Sequence, residues 1–222
     1  MLKKCGYDTE MIGKWHMGMY HKSFLPQNRG FDYFLGLYGG SADYYSHDYC
    51  FRNPRLNHDL YHMCGYDFRE AYNSSETVRF DLNGTYSTDA FVTALDKRLE
   101  NRTSKNPLFT YLSFQAVHGP IQTKPQFDHI YENVYKRKPK AQRTKMLSHI
   151  TGLDDAVGRV VTSFKKHGYW ENTVLIFSSD NGGSIQLGSS NWPLKGDKGS
   201  LHDGGIKVVG FLSSPLLHST VV

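Results

Sequence analysis

The sequence has no long hydrophobic run: nothing in its 222 residues approaches the roughly 18 continuous apolar residues of a membrane-spanning helix. It also lacks a long block of like charge. Its 26 Lys and Arg residues outnumber its 21 Asp and Glu residues, but the densest basic cluster spans only residues 136–140. A nucleic-acid-binding tail carries a longer basic block, so we expect neither a membrane span nor a nucleic-acid partner.

Cysteine is scarce, and the three cysteines cannot all pair with one another. Cys50 and Cys64 lie in the same tyrosine-rich region and could form a local disulfide in an oxidising compartment, which would leave Cys5 over. The alternative is that all three are reduced and buried. Three glycosylation sequons suit a protein of the secretory pathway and favour the disulfide. They begin at Asn73, Asn83 and Asn101.

A signal peptide is also absent. Residues 1–5 are basic, but no apolar segment follows them. Sequons without a signal peptide suggest that the native amino terminus lies upstream of Met1.

What the sequence does contain is the pattern of an α/β protein. Two continuous apolar runs, residues 108–117 and 173–179, are typical of strands buried on both sides. Between them, apolar residues at helical spacing from Met146 to Phe164 predict a long helix that ends near Gly168. Strand, helix and strand in this order predict a parallel sheet flanked by helices.

Four further segments complete the predicted fold. Residues 11–12 end a first buried strand, residues 87–100 form a helix capped by its first residue, and residues 206–212 form a last strand. Residues 17–75 are rich in Tyr, Gly, Asn and Asp and show no sustained period. They are therefore predicted to be long ordered loops.

Polar side chains follow the predicted strands where the strands end. Lys14 and His16 follow the first strand, His118 follows the second, and Asp180 with Asn181 follows the third. Ligands of open α/β sheets bind at these carboxyl ends, so we expect one site. An ammonium group and an imidazole suit a sulfate or phosphate ester. A carboxylate and an amide oxygen suit Ca²⁺ or Mg²⁺.

Each fragment also has an ordinary structural interpretation. A Lys-x-His after a strand can be a solvated lysine beside a packing histidine, and Asp-Asn-Gly is a common turn. Residues 193–205 hold Lys198 between glycines that would let the backbone approach an oxyanion, yet such a segment can be a plain loop. Its spacing excludes a P-loop.

Taken together, the motifs resemble those of the sulfatase family, in the family's order, over almost the whole chain. They are residues 6–16 with 13–18 (Gly-Lys-Trp-His-Met-Gly), 116–120 (Ala-Val-His-Gly-Pro), 180–183 (Asp-Asn-Gly-Gly) and 198–205. Further details are most similar to arylsulfatase B-like enzymes, notably residues 29–32, 43–47 and 191–194.

The resemblance implies an alkaline-phosphatase-like α/β fold with a mostly parallel central sheet flanked by helices. It implies a sulfuric ester hydrolase, secreted or lysosomal, that acts on N-acetylgalactosamine 4-sulfate in sulfated glycosaminoglycans or on aryl sulfates. Cys50 and Cys64 resemble a family disulfide pair.

The resemblance also implies a role for each site residue. Lys14, His118 and Lys198 would hold the sulfate. His16 would orient or protonate the catalytic group. Asp180 and Asn181 would bind a divalent metal, normally Ca²⁺ rather than Mg²⁺.

Some family features have no counterpart in these 222 residues. The family oxidises the cysteine of a Cys-x-Pro-Ser-Arg motif to formylglycine, whose hydrate attacks the sulfate ester. No such motif is present: the proline after Cys50 comes two positions too late, at Pro54. The paired aspartates of the first family strand and the small carboxyl-terminal domain are also missing. We therefore expect residues 1–222 to be a partial sulfatase catalytic domain, incomplete at both ends and inactive by itself.

Two other functions stay open. The chain could be a non-catalytic product whose anion-binding face holds sulfated glycans. It could also be a phosphoesterase of the same superfold, because a fold does not determine which ester is cleaved. The sequence does not indicate an oligomeric state.

Overall fold

The computed structural model describes residues 1–52, 62–73, 75–131 and 140–217. They fall into two compact units, the first unit, Met1–Gln122, and the second unit, Thr123–Val222. None of the helices in the described ranges is both long enough and apolar enough to cross a membrane. Residues 136–139 of the basic cluster lie outside those ranges.

The first unit is built on a mixed sheet and one long helix. Its elements are β1 (Asp8–Lys14), β2 (Tyr33–Leu37), β3 (Asp48–Arg52), β4 (His62–Tyr66), β5 (Arg69–Tyr72), β6 (Ser75–Val78), α1 (Ser87–Glu100) and β7 (Leu108–Ser113). Five strands form one sheet in the order β6-β5-β2-β1-β7. β1 is parallel to both β2 and β7, while β5 is antiparallel to β2 and β6. β3 and β4 form an antiparallel ribbon.

The core of the first unit lies between the centre of this sheet and α1. Met11 of β1 and Phe34 of β2 have no exposed surface, and α1 turns Phe91 and Leu95 inward. The helix occupies residues 87–100 as predicted, although Ser87 is its first residue and not its cap. The apolar spacing of four along α1 is therefore the pattern of a helix that covers a sheet face.

Glycine is required where β2, β1 and β7 approach one another near their carboxyl ends. Gly13 has φ +114° and Gly36 has φ +153°. A Cβ at Gly13 would overlap the carbonyl group of Ser113 in β7, and a Cβ at Gly36 would overlap the carbonyl group of Gly13. Only glycine combines these φ values with such close backbones, so these residues fix the strand ends that carry the polar motifs.

The described residues of the second unit form three α-helices and one two-stranded sheet. Its elements are α2 (Pro125–Tyr131), α3 (Lys140–Lys166), β8 (Leu175–Ser178), α4 (Asp203–Ile206) and β9 (Gly210–Ser213). β8 and β9 pair antiparallel. α2 packs on α3, where Gly152 makes room for the Phe127 ring: a Cβ there would approach the ring to 3.3 Å.

The predicted burial of two strands was wrong for the described residues. β7 lies at an edge of its sheet, and its alternate side chains Phe109 and Tyr111 are exposed. β8 forms its ladder with β9 and is antiparallel, not parallel, and Ile176 at its centre is 73% exposed. A continuous apolar run is typical of a strand that is buried on both faces, but in β7 and β8 the described residues shield only one face from solvent.

Two other segments differ from the prediction. Residues 17–75 contain β2 to β5 and not loops alone. These strands have only four or five residues each, too few to establish a visible period. The predicted strand at 206–212 begins later, at Gly210, because residues 203–206 form the turn of α4.

Candidate active site

Lys14 and His16 flank a tryptophan that anchors the end of β1. Lys14 is the last residue of β1, opposite Leu37 in the parallel ladder. The Trp15 N–H donates to the Leu37 carbonyl at 2.9 Å, and the Trp15 ring packs edge-on against Phe31 with 6.3 Å between centroids. These contacts fix the backbone that carries Lys14 and His16 on either side of Trp15.

The position of His16 is set by its backbone and by a glycine. Its φ is +52°, and its N–H donates to the Tyr38 carbonyl at 3.1 Å. The imidazole lies against Gly40, where a Cβ would come within 2.6 Å of the ring. The His16 ring is thus held over the segment that follows β2, and it remains exposed.

His118 follows β7, the strand beside β1. Its N–H donates to the Gln115 carbonyl at 2.9 Å, and its Nδ1 lies 2.7 Å from the Gly119 carbonyl oxygen. The hydroxyl of the buried Tyr44 donates to the His118 carbonyl at 2.9 Å. Since β1 and β7 are adjacent and parallel, Lys14, His16 and His118 all lie at the same edge of the sheet.

Two glutamines tie the His118 loop to the segment after β2. The buried Gln115 accepts from the Ala42 N–H at 3.0 Å and donates to the Ala42 carbonyl at 2.6 Å. Gln122 accepts from the Tyr44 N–H at 2.7 Å and donates to the Asp43 carboxylate at 2.5 Å. We call Gln115 and Gln122 the glutamine clamps. They hold both ends of the loop that carries His118.

Asp43 is ionised in this arrangement. Burial by itself raises the pKa of the Asp43 carboxyl, but hydrogen bonds from the Ser46 and Tyr45 N–H groups and from Gln122 outweigh it and hold the pKa below its usual value. A charged Asp43 is the better acceptor for Gln122, so the clamp and the carboxylate stabilise each other.

The second unit brings Asp180 and Asn181 to the loop that carries Lys198. They follow β8, and the Lys198 N–H donates to the Gly183 carbonyl at 3.3 Å. The Asn191 side chain accepts from the Gly183 N–H at 2.9 Å and donates to the Gly183 carbonyl at 2.8 Å. The predicted metal and lysine motifs are therefore neighbours within this unit.

Glycine permits this approach in the second unit as it does in the first. A Cβ at Gly182 would overlap the carbonyl group of Gly204, and the Gly182 N–H donates to the Gly205 carbonyl at 2.9 Å. The glycines of the predicted Asp-Asn-Gly-Gly and Lys198 motifs thus meet in one backbone contact. The absence of a side chain at these glycines lets the two backbone segments come into contact, as the glycine-rich sequence suggested.

The described residues do not form a complete cation site. No group of three or more His, Cys, Asp or Glu side chains in the described ranges could hold a metal ion. Asp180 and Asn181 offer two oxygen ligands, whereas Ca²⁺ takes about six to eight and Mg²⁺ about six. The predicted metal pair is present, but this chain's residues do not fit Ca²⁺ or Mg²⁺ without further ligands.

The predicted disulfide is confirmed. Cys50 and Cys64 are directly opposite in the β3–β4 ribbon and are bonded, with 4.0 Å between their Cα atoms, and Cys5 is an exposed free cysteine. The sequon asparagines are exposed at all three sites, which are Asn73, Asn83 and Asn101. The Asn101 side chain donates to the Lys97 carbonyl at 2.8 Å.

Comparison with known proteins identifies the protein family to which this chain belongs. The sulfatase family profile matches residues 1–220. The chain belongs to the sulfatase family.

Arylsulfatase J of Mus musculus is 40% identical over 216 residues, which cover 97% of this chain and 34% of that protein. N-acetylgalactosamine-6-sulfatase of Mus musculus is 26% identical over 214 residues, which cover 93% of this chain and 37% of that protein. The chain thus spans about a third of the length of these curated relatives.

A solved structure supports the fold. The crystal structure of Ps i-CgsB in complex with k-i-k-neocarrahexaose matches with a TM-score of 0.79 and 29% identity, over 97% of this chain and 46% of that one. The chain therefore has part of the alkaline-phosphatase-like sulfatase fold, with the mixed, mostly parallel centre that the sequence predicted.

Proposed function

We propose that residues 1–222 are the central part of the catalytic domain of a sulfuric ester hydrolase. The observation that carries the proposal is the placement of Lys14, His16 and His118 at the carboxyl ends of two adjacent parallel strands. In α/β sheets this edge is where ligands bind. A lysine with two histidines there suits a tetrahedral oxyanion ester.

Each residue has a role that its chemistry can fill. In the first unit, Lys14 can supply an ammonium group to an ester oxygen, and His118 can supply a hydrogen bond from a ring whose loop is fixed by the glutamine clamps. In the second unit, Lys198 offers a further ammonium group for an anionic oxygen. His16 stays exposed next to Lys14, and its proposed role is to orient or protonate the catalytic group. Asp180 and Asn181 contribute two hard oxygen ligands.

The substrate we propose is a sulfated glycosaminoglycan that carries N-acetylgalactosamine 4-sulfate, with small aryl sulfates as the alternative. The names of the two relatives, an arylsulfatase and an N-acetylgalactosamine-6-sulfatase, support an ester of this kind without choosing between the 4- and 6-positions. The disulfide and the exposed sequons suit a glycoprotein that is secreted or lysosomal.

Ester binding without turnover is the expected property of residues 1–222. The family's formylglycine requires a Cys-x-Pro-Ser-Arg cysteine, which this sequence lacks, and its Ca²⁺ requires more ligands than Asp180 and Asn181. Loss of a covalent nucleophile removes the reaction path. We therefore expect binding of the sulfated sugar but no release of sulfate.

Calorimetric titration of the chain with N-acetylgalactosamine 4-sulfate tests this proposal. Replacing Lys14 by Ala should weaken binding about tenfold, because a charge-assisted contact is lost. Lys4→Ala, an exposed lysine of the same unit, is the matched control. In the second unit, Lys198→Ala should weaken binding, whereas Lys195→Ala, in the same loop and also exposed, should not.

Two outcomes would contradict the proposal. One is binding that Lys14→Ala and Lys198→Ala leave unchanged. The other is tighter binding of 4-nitrophenyl phosphate than of 4-nitrophenyl sulfate, which would favour the phosphoesterase alternative. Sulfate release from 4-nitrophenyl sulfate by residues 1–222 would disprove the expected lack of turnover.

A further inference from the structure

A loop of unusual composition projects beside Lys14. All residues from 16 to 24 are exposed, and this segment is called the 16–24 loop. From residue 14 to residue 30 the chain carries no Asp or Glu. The basic side chains in that stretch are Lys14, His16, His21, Lys22 and Arg29. A continuous stretch that carries basic side chains and no acidic ones is suited to bind a polyanion.

The 16–24 loop is ordered by its own hydrogen bonds. The Trp15 indole N–H donates to the carbonyls of Gly18, at 3.2 Å, and Phe24, at 2.9 Å, which closes the loop at its base. The Ser23 N–H donates to Nδ1 of His21 at 3.2 Å. Leu25, the residue after the loop, is buried in the core. The exposed side chains therefore project from a conformation fixed before any ligand arrives, which lowers the entropy cost of binding.

The loop presents apolar groups together with its cations. The Tyr20 side chain is 96% exposed, Met17 is 66% exposed and Phe24 is 41% exposed. Within the described ranges, no carboxylate lies at ion-pair distance from Lys22 or Arg29. Three exposed apolar side chains within one short loop, together with its cations, make this loop a candidate binding surface.

We propose that the 16–24 loop is a second subsite, which binds the sugars next to the one whose sulfate lies at Lys14. This inference rests on the proposed function. The apolar C–H face of a pyranose ring can stack on the Tyr20 ring, and Lys22 can pair with a sulfate or carboxylate on the same sugar. The ligand is therefore a glycan with anionic groups on successive sugars. A small aryl sulfate would leave the loop empty.

A sugar polyanion fits this surface better than an acidic peptide does. Cations alone would serve either ligand, but an accessible aromatic face next to them suits the alternation of apolar ring and anionic group along a sulfated glycan. Recognition that uses both features should depend on Tyr20 and Lys22 together. Recognition of charge alone should depend on Lys22 and fall with salt, whatever residue stands at position 20.

Calorimetry with two ligands of different length tests the subsite. The wild-type chain should bind a chondroitin 4-sulfate octasaccharide more tightly than N-acetylgalactosamine 4-sulfate. Tyr20→Ala and Lys22→Ala should each weaken octasaccharide binding about three- to tenfold and leave monosaccharide binding unchanged. Phe80→Ala and Lys4→Ala, exposed residues of the same kinds elsewhere in the first unit, should change neither affinity.

The results separate this inference from the proposed function. Equal wild-type affinity for both ligands, or octasaccharide binding that survives Tyr20→Ala, overturns the subsite alone. Monosaccharide binding that is insensitive to Lys14→Ala overturns the proposed function instead. An octasaccharide effect of Lys22→Ala without any effect of Tyr20→Ala would assign the loop to charge recognition, as in acidic peptides, and would contradict the sugar subsite.

Discussion

The central strands of the two units both contain apolar residues, but their surroundings differ. β1 and β2 of the first unit, like β8 and β9 of the second, each carry at least two consecutive apolar residues. Met11 and Phe34 in the first pair have no exposed surface, whereas Ile176 in β8 remains 73% exposed. Apolar residues in a strand favour burial, but whether they are buried depends on which neighbouring elements pack against the strand.

The first unit therefore has a buried strand core, whereas the strands of the second unit carry exposed apolar side chains. α1 and the flanking strands cover β1 and β2, and most of the buried apolar side chains of the described residues lie in the first unit. We therefore expect the first unit to contribute most of the stability. In the second unit the β8–β9 ladder contributes little burial. Substitutions at matched positions in the two units should therefore differ in a predictable order.

The largest contrast is expected for two phenylalanines. Phe34 is fully buried and stacks on Tyr38 with 5.1 Å between ring centroids, while Phe211 in β9 is 48% exposed. Phe34→Ala should lower the free energy of unfolding by about 3–5 kcal/mol, because it leaves a cavity. Phe211→Ala should cost less than about 1 kcal/mol. Urea denaturation followed by circular dichroism measures both, and equal losses would contradict the contrast.

The next effect concerns glycine at the strand ends. Gly13→Ala would place a methyl group against the Ser113 carbonyl at a φ of +114°, so unfolding free energy should fall by about 3 kcal/mol. Gly84 has φ +86° but nothing within 4 Å of a Cβ, so Gly84→Ala should cost only about 1 kcal/mol. Thermal denaturation compares the two, and a similar cost at both positions would show that strand approach does not matter.

A smaller effect is expected when the bridging amides are removed. Gln115→Ala deletes two buried hydrogen bonds to Ala42 and should cost about 2 kcal/mol. Asn191→Ala, which removes the bridge to Gly183 in the more open second unit, should cost about 1 kcal/mol. Denaturation gives both values. A larger loss for Asn191→Ala would reverse our assignment of stability to the first unit.

A contrast of a different kind is a pH dependence that arises in α3. Burial lowers the pKa of the His149 imidazole to about 4, against 6.5 in the unfolded chain. The folded state therefore binds this proton less readily, and the contribution of His149 is intact above pH 6.5 and lost as pH falls towards 4. Between these limits the free energy of unfolding should fall by about 1.4 kcal/mol per pH unit.

The variant His149→Gln isolates this contribution. Between pH 6.5 and pH 4, it should reduce the slope of the unfolding free energy against pH by about 1.4 kcal/mol per pH unit, which corresponds to the binding of one proton. His47, the buried histidine of the first unit, also has its pKa lowered by burial and remains in the variant, so part of the slope should persist. A slope that does not change in His149→Gln would show that this histidine is not buried in its neutral form.

Much of the site could be predicted because its residues interrupt regular patterns. Lys14 and His118 are polar residues directly after apolar runs, and the structure places them at neighbouring strand ends. The glutamine clamps were missed because their partners lie more than 70 residues away in the chain. One signal existed: Gln115 is a polar amide inside an apolar run, and a buried amide needs partners.

The fold was predictable where elements are long. α1 and α3 have enough turns for their apolar period to show, and they occur where predicted. β2 to β5 have four or five residues and depend on partners distant in sequence, so no local pattern marks them. The exposure of β7 and β8 depends on which elements cover them, which a strand's own sequence does not state.

The most direct test of the central claim is a titration of ¹⁵N-labelled chain with N-acetylgalactosamine 4-sulfate, followed by amide chemical shifts. We predict shifts at Lys14, His16 and His118, with none in the β3–β4 ribbon. Shifts confined to other surfaces, or none at concentrations that saturate the wild type in calorimetry, would contradict a sulfate-ester site at the carboxyl ends of β1 and β7.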